Sequence, residues 1–233
     1  MNKNFIRKII PKRLKEFINR TEFSKYQNLP SYSVNGEDLL LYSYLKDIKK
    51  GFYVDIGAHH PFRFSNTFLF YQLGWSGINI DALPGSMTLF NKFRNRDINL
   101  EIGISSKKEI LTYYQFEENA YNTFSKEFAN KYIKNNIKLV EKHSITTYPL
   151  KDILDKYLNT FEITFLCIDV EGLDLAILQS NNWDKYKPKY IFVEENNVEL
   201  FKIENNSIVN FLKEKKYELL SVYKNNLFFK LII

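Results

Sequence analysis

The sequence predicts an α/β fold in which helices cover both faces of an open, mostly parallel β-sheet whose last strand runs antiparallel to the rest. Three observations predict it. Apolar, strand-like runs alternate with segments of helical periodicity along the chain. Two of the first runs carry an acid at the end: Asp55 lies near the end of 52–56, and Asp81 directly follows 77–80. Two apolar segments joined by Asn225 and Asn226 close the chain as a hairpin.

Each element follows from a local pattern. A polar turn leads into a helix at 33–46, and Pro84 precedes a helix with apolar residues from Met87 to Phe93. Pro188 separates the last central strand from the helix before it. The remaining strands are predicted at 98–104, 109–116, 163–170, 190–193, 217–223 and 227–233, and the remaining helices at 149–158, 174–179 and 207–216.

The segment 51–81 is the first candidate for a ligand site. It is predicted to form a strand, a turn, a helix and a second strand, with Gly57 allowing a sharp turn after the first strand. Ligands of open parallel sheets bind at the carboxyl ends of the strands, and an acid such as Asp81 suits a ribose diol. The three-glycine dinucleotide fingerprint is missing, since 58–61 read AHHP. A ligand with a ribose and no pyrophosphate fits better, and S-adenosylmethionine is the common one.

Several segments together resemble a known family. VDIGAHHPFRFSNT, GWSGINIDALPGS, INLEIGIS, CIDVEG and YIFVEE, in this order, look like the FkbM family of S-adenosylmethionine-dependent methyltransferases. The similarity extends over roughly 31–195. It implies a class I methyltransferase fold and, most often, O-methylation of a sugar or related hydroxyl compound. Ser33 and residues 36–38 match the family's S-Q-x-G-E-D pattern, whereas Val34 replaces the glutamine. This turn is alternatively only a helix cap.

The formal charge of +6 lies in one part of the chain. Residues 1–30 carry all of this excess, so the rest is formally neutral, which argues against a nucleic-acid partner. Apolar residues at helical spacing make 1–30 a predicted amphipathic appendage to a methyltransferase domain at 31–233. We expect it to dock on a partner subunit, as in a homo-oligomer, or alternatively on an anionic membrane surface.

The sequence also predicts where the protein is located and what its cysteine does. No run reaches the roughly 20 apolar residues of a membrane-spanning helix. The basic N-terminus lacks the continuous apolar core of a secretory signal. A cytoplasmic location is therefore expected. The single cysteine, Cys167, is predicted to be a buried structural thiol.

The cofactor candidates follow the first two strands. Ser65, Asn66 and Thr67 are expected to hold the amino-acid end of the cofactor, or alternatively to cap the following helix. Adenine is expected near Asp97 or near the backbone at 104–105. The full predicted set is Asp55, Gly57, Ala58, Ser65, Asn66, Thr67, Asp81, Asp97 and Ser105.

The acids after the later central strands form a second constellation. Asp169 and Glu171 follow one strand, and Glu194 and Glu195 follow the next. So many acids at one sheet end are costly unless a proton or a cation is present. Similarity to metal-dependent small-molecule O-methyltransferases predicts Mg²⁺ or another divalent cation on Asp169, Glu194 and Glu195. Alternatively, the acids bind substrate hydroxyls directly.

Catalysis is assigned to Asp169, Glu171, Glu194 and His60. An imidazole titrates near physiological pH, and His60 is the predicted general base, with His59 orienting the loop. The insertion 117–142 is predicted to bind the substrate. The resemblance makes the expected substrate a carbohydrate: a glycan, a polysaccharide precursor or a nucleotide sugar. The alternatives are a methyltransferase for a lipid, peptide or RNA, and a noncatalytic protein that binds nucleotide sugars.

Overall fold

A computed structural model describes residues 29–158, 162–196 and 198–232. The chain divides into two compact units, 1–31 and 32–233, and the second unit is described below. All but residues 29 and 30 of the predicted N-terminal appendage, 1–30, lie outside the described residues. Among the described helices, none is long and apolar enough to cross a membrane.

The second unit alternates helices and strands. Its helices are α1 (Glu37–Leu45), α2 (Phe68–Gln72), α3 (Met87–Phe93), α4 (Lys126–Lys134), α5 (Leu150–Tyr157), α6 (Asp174–Gln179) and α7 (Ser207–Glu214). Its strands are β1 (Phe52–Ile56), β2 (Ser76–Asp81), β3 (Ile98–Glu101), β4 (Gly103–Ile104), β5 (Glu109–Phe116), β6 (Leu139–Tyr148), β7 (Phe165–Ile168), β8 (Tyr190–Glu194), β9 (Tyr217–Tyr223) and β10 (Asn226–Leu231). Short 3₁₀ turns lie at Asn119–Tyr121 and Leu200–Asn205.

The main sheet has seven strands in the order β3-β2-β1-β7-β8-β10-β9. The first five run parallel to one another, and β10 is antiparallel to both β8 and β9. The predicted mostly parallel sheet with an antiparallel last strand is therefore confirmed. The closing turn lies at Lys224 and Asn225, one residue earlier than predicted, and Lys224 adopts a φ of 54°.

Helices pack on both faces of this sheet because side chains alternate along each central strand. On one face, Val54 and Ile56 join a cluster that includes residues of α5, α6 and α7. On the other face, Tyr53 and Cys167 join a cluster with residues of α1 and α2. The predicted burial of Cys167 is confirmed, since the thiol is fully buried and free.

A second, three-stranded sheet departs from the prediction. Its order is β4-β6-β5, so the predicted strand 98–104 is divided between two sheets. The segment 117–142 contains α4 and the start of β6, which the sequence pattern missed. Gly103 begins β4, where a Cβ atom would lie 2.7 Å from the Thr147 side chain of β6. The boundaries of these elements therefore depend on pairing with β6, which lies far away in the sequence.

Candidate functional site

A cavity of about 370 Å³ opens at the carboxyl ends of β1, β2, β7 and β8. Its floor includes Gly57, Asp81, Asp169, Glu171 and Glu194. Its walls include residues 34, 35 and 37 before and within α1, residues 119–124 except 121 and 123, and residues 224–226 of the closing turn. The fold thereby brings together residues from almost the whole length of the unit.

Gly57 lies in the turn after β1, where the backbone passes close to the residues that follow β7. Its φ is +83°, and a Cβ atom would lie 1.8 Å from the carbonyl oxygen of Asp169. Its N–H donates to the Ile80 carbonyl at 2.9 Å, as does that of Ala58 at 3.0 Å. No side chain fits at this position, so the turn requires glycine.

Asp81 ends β2 with its carboxylate at the cavity. One oxygen accepts a hydrogen bond from the Leu83 N–H at 2.8 Å, and the other accepts from the His59 N–H at 3.0 Å. Burial raises the pKa of Asp81 to about 6. An ionised carboxylate has about four acceptor sites, so further acceptor capacity remains for a ligand.

Asp55 and the polar triplet at 65–67 lie beneath the cavity and are not among its lining residues. Asp55 is buried and accepts a hydrogen bond from the Thr67 hydroxyl at 2.8 Å. The Ser65 Oγ accepts from the Phe68 N–H at 3.1 Å, and the Asn66 amide contacts the Cys167 sulfur at 3.4 Å. Of the two roles predicted for residues 65–67, these contacts favour capping of the following helix over contact with a cofactor, and the Asp55 carboxylate, predicted to bind the cofactor, is enclosed beside them.

Arg94 is a buried residue that sequence reasoning missed. Its guanidinium pairs with Asp97 at 2.9 Å, with both side chains 0% exposed. It also donates to the Pro61 carbonyl at 2.9 Å and to the Thr67 hydroxyl at 3.1 Å. Arg94 thus anchors the loop between β1 and α2. In the sequence both Arg94 and Arg96 lie close to Asp97, so spacing alone does not indicate which arginine pairs with this carboxylate.

The side chains of Asp97 and Ser105, two of the predicted adenine contacts, lie away from the cavity, whereas Ile104 of the predicted stretch 104–105 lines it. Asp97 is enclosed with Arg94 and also accepts from the Gly77 N–H at 2.9 Å. The Ser105 hydroxyl donates to the Lys107 carbonyl at 2.9 Å and is buried. Both side chains are therefore occupied within the protein. Ile102 lines the cavity together with Ile104.

Three carboxyls meet at the other end of the cavity. One oxygen from each of Asp169, Glu171 and Glu194 lies within 4.8 Å of the others. The Tyr132 hydroxyl donates a hydrogen bond to the Glu171 carboxylate at 2.5 Å, and the Asn196 amide donates one to Glu194 at 3.1 Å. Glu171 adopts a φ of 54°, a conformation that non-glycine residues rarely take.

The pKa values of all three carboxyls in this cluster are raised. Desolvation within the cavity, and then the charge of Glu171, raises the pKa of Asp169, although its side chain is exposed to the open cavity. Burial, and then the charge of Asp169, raises the pKa of Glu194, while burial raises that of Glu171. Three carboxylates so close together cannot all ionise cheaply, so the group retains protons at a pH where isolated acids have lost them.

Glu195 does not join this cluster. Its carboxylate accepts a hydrogen bond from the Asn206 amide at 3.1 Å, and it does not line the cavity. Successive side chains of an extended segment point to opposite sides, so Glu194 and Glu195 diverge. The structure therefore corrects the predicted group of acids: Glu171 takes the place of Glu195.

The two adjacent histidines are also placed differently from the prediction. His59 lines the cavity with a φ of 56°, and its Nε2 is enclosed with no hydrogen-bond partner among the described residues. The His60 Nδ1 accepts hydrogen bonds from the Phe62 N–H at 3.3 Å and the Arg63 N–H at 3.1 Å. His60 is not a lining residue. Burial, followed by the Arg63 charge, lowers the pKa of both imidazoles.

The turn before α1 is held by hydrogen bonds among its own residues and forms part of the cavity wall. Asp38 accepts hydrogen bonds from the Tyr32 N–H at 2.7 Å and the Ser33 hydroxyl at 2.9 Å. Glu37 accepts from the N–H and the amide of Asn35 at 2.7 and 2.9 Å, and it lines the cavity. Val34, which stands where the family pattern has glutamine, also lines the cavity and is 62% exposed.

Comparison with known proteins gives one family match. The family model described as the methyltransferase FkbM domain matches residues 55–219, which is more than half of the chain. A solved structure of a candidate RNA methyltransferase from Pyrococcus horikoshii is similar, with a TM-score of 0.42 and 11% identity over 85% of this chain and 84% of that chain. No curated protein sequence matches.

Proposed function

The chain belongs to the FkbM methyltransferase family, and from that premise we propose that it transfers a methyl group from S-adenosylmethionine to a sugar hydroxyl. One observation carries the proposal. Asp81 lies at one end of the cavity, and the carboxyls of Asp169, Glu171 and Glu194 lie at the other. Gly57, which directly follows β1, lies between them. One end suits a ribose and the other suits a hydroxyl that must lose a proton.

The donor end fits the ribose of S-adenosylmethionine. Asp81 is held by two backbone N–H groups and keeps acceptor capacity toward the cavity. The apolar side chains of Ile102 and Ile104 offer a surface for an adenine ring. When bound, S-adenosylmethionine supplies an electrophilic methyl group, and this chain supplies the geometry that holds it near the acceptor.

The acceptor end supports proton removal by a carboxylate. The raised pKa of Asp169, about 8, brings this carboxyl closer to the working pH, where a general base is most effective. When the acceptor oxygen gains the methyl group, the methyl–sulfur bond of the donor breaks, S-adenosylhomocysteine leaves, and the hydroxyl proton passes to an ionised member of the cluster. We assign this role to Asp169 because its backbone directly contacts the Gly57 turn. His60, the base predicted from the sequence, is replaced in this proposal because its Nδ1 is occupied by backbone donors.

Alternatively, the carboxylates of the acceptor site bind a divalent cation. Carboxylate oxygens are the ligands that Mg²⁺ and Ca²⁺ prefer, and Asp169, Glu171 and Glu194 supply three of them. Such an ion would lower the pKa of the acceptor hydroxyl. Activity that survives exhaustive chelation would exclude the cation and leave the carboxylates as direct ligands of the substrate.

The sugar substrate rests on family membership and is therefore the finer part of the proposal. A glycan, a polysaccharide precursor or a nucleotide sugar is the expected acceptor, bound partly by the insertion residues 119–124. A lipid, peptide or RNA acceptor is the alternative within the same chemistry, and panels of acceptors with labelled methyl donor distinguish them. A noncatalytic binder of nucleotide sugars would bind sugar without forming S-adenosylhomocysteine. The cytoplasmic location stays a prediction.

Calorimetry with S-adenosylhomocysteine tests the donor site. The wild-type protein should bind this product, and Asp81→Asn should weaken binding by at least tenfold, because the amide loses the charge-assisted acceptor for the ribose. Glu101→Gln is the matched control, since Glu101 ends β3 in register with Asp81 but does not line the cavity. A folded wild-type protein that binds no S-adenosylhomocysteine would refute the proposed function.

A further inference from the structure

Two walls of the cavity come from separate segments. The donor loop, residues 57–67, contributes Gly57, His59 and Phe64 to one side. The insertion contributes Asn119 and its neighbours at 120, 122 and 124 to the facing side. A ligand in the cavity is held between these walls, so the contacts that join them affect how easily it leaves.

A single ion pair joins the two walls. Arg63 of the donor loop binds Glu118 of the insertion through two hydrogen bonds, Nη2 to Oε2 at 2.8 Å and Nη1 to Oε1 at 3.3 Å. All residues of both segments are described, and no other ion pair or side-chain hydrogen bond between 57–67 and 117–142 is present among them. The two-pronged geometry orients the guanidinium as well as attracting it.

The pair continues into the cavity through stacked rings. The Arg63 guanidinium lies 4.1 Å from the centre of the Phe64 ring. Phe64 adopts a φ of 57°, and its ring stacks on His59 with centroids 5.7 Å apart. Glu118, Arg63, Phe64 and His59 therefore form a continuous series of contacts from the insertion to the cavity surface. A change at Glu118 reaches the donor loop through this series.

The strength of the pair is modest because water reaches it. The two side chains are 48% and 42% exposed. Their hydrogen bond raises the pKa of Arg63 and lowers that of Glu118, so both are charged at neutral pH. Exposed pairs of this kind change equilibria and rates by a factor of about 2 to 5, and salt weakens them.

We propose that Arg63 and Glu118 are positioning residues that latch the donor loop to the insertion and slow the release of the donor ligand. The identity of that ligand rests on the proposed function, whereas the latch itself rests on the contact between the two segments. The consequence is that an interaction remote from the reacting groups sets the residence time in the donor site.

Release of S-adenosylhomocysteine from the full chain, measured by surface plasmon resonance, tests the latch. Arg63→Gln and Glu118→Gln should each accelerate dissociation by about 2- to 5-fold, with the double variant no faster than the faster single one. The charge swap Arg63→Glu with Glu118→Arg should restore most of the wild-type rate. Raising salt should accelerate wild-type release and leave the two single variants nearly unchanged.

The neighbouring residue supplies a matched control. Glu117 pairs with Lys138 at 3.4 Å, and both of these residues belong to the insertion. Glu117→Gln removes the same charge one position away without unlinking the walls, so its dissociation rate should stay within about 1.5-fold of wild type, below the 2- to 5-fold effect expected from the Arg63–Glu118 pair. Equal rates in all variants, or equal acceleration by Glu117→Gln and Glu118→Gln, would overturn the latch.

Hydrogen exchange separates failure of the latch from failure of the proposed function. In the ligand-free protein, Glu118→Gln should accelerate amide exchange in the donor loop, although the substitution lies in the insertion. The melting temperature should change little, which distinguishes loosening of the loop from loss of the fold. Unchanged exchange at 59–67 refutes the latch even if S-adenosylhomocysteine does not bind. Altered exchange without S-adenosylhomocysteine binding keeps the latch and rejects the donor assignment.

Discussion

Replacing Arg94 by methionine should destabilise the protein strongly. The substitution keeps an apolar stem but removes the partner of Asp97, and both side chains are 0% exposed. Breaking a buried ion pair costs about 3 to 5 kcal/mol, because the remaining charge is left without compensation. Asp97 retains the Gly77 N–H and the Tyr53 hydroxyl as donors, which places the expected loss near the lower limit. For a domain of this size, such a loss lowers Tm by roughly 6 to 20 °C.

Urea unfolding followed by circular dichroism measures this loss. Arg96→Met is the matched control: Arg96 is exposed, lies over the Tyr71 ring at 3.8 Å and donates to the Tyr71 carbonyl, so its removal should cost less than about 2 kcal/mol. Adding Asp97→Asn to Arg94→Met should recover about 1 kcal/mol or more, because the uncompensated charge disappears. A loss in Arg94→Met no larger than in Arg96→Met would refute the assignment of Arg94 as a buried anchor.

Three further outcomes are expected. Gly57→Ala should lower Tm more than Gly85→Ala, because both positions have positive φ but only at Gly57 would a Cβ atom lie 1.8 Å from a carbonyl oxygen; equal Tm losses would contradict the close approach. Affinity for S-adenosylhomocysteine should fall by about tenfold per pH unit below about 6, as Asp81 is protonated, and calorimetry of Asp81→Asn should show no such dependence. Because the acids at the cavity have raised pKa values when folded, the folded chain binds more protons than the unfolded chain, so stability should fall as pH rises from about 5 to 8. Glu194→Gln should flatten that fall and raise Tm at pH 8, whereas the exposed Glu204→Gln should not; a lower Tm in Glu194→Gln would reverse the sign of the argument.

Residues at strand ends were predictable from local patterns. When an apolar run forms a strand of a parallel sheet, an acid that follows it lies near the carboxyl edge of that sheet. This prediction requires only the local sequence. Asp81, Asp169 and Glu194 were identified in this way, and all three line the cavity. Gly57 was identified because a turn beside a ligand edge needs a residue without a side chain.

Side-chain direction limited the remaining site predictions. Glu194 and Glu195 are equivalent in sequence, but alternation along the extended chain sends only Glu194 to the cavity. His59 and His60 are likewise adjacent, and the positive φ of His59 decides which imidazole faces inward. A pattern of residue types carries no information about such a backbone angle.

The sequence by itself determined the α/β class, the antiparallel closing strand and the strand-end residues of the site, because apolar periodicity and acids after strands are local properties of the chain. Only the tertiary structure decided that Arg94 supports the donor loop, that β6 pairs with β5 across the insertion, and that Glu118 meets Arg63. Each of these contacts joins residues whose proximity depends on how separate elements pack. Spacing along the chain does not determine distances of that kind.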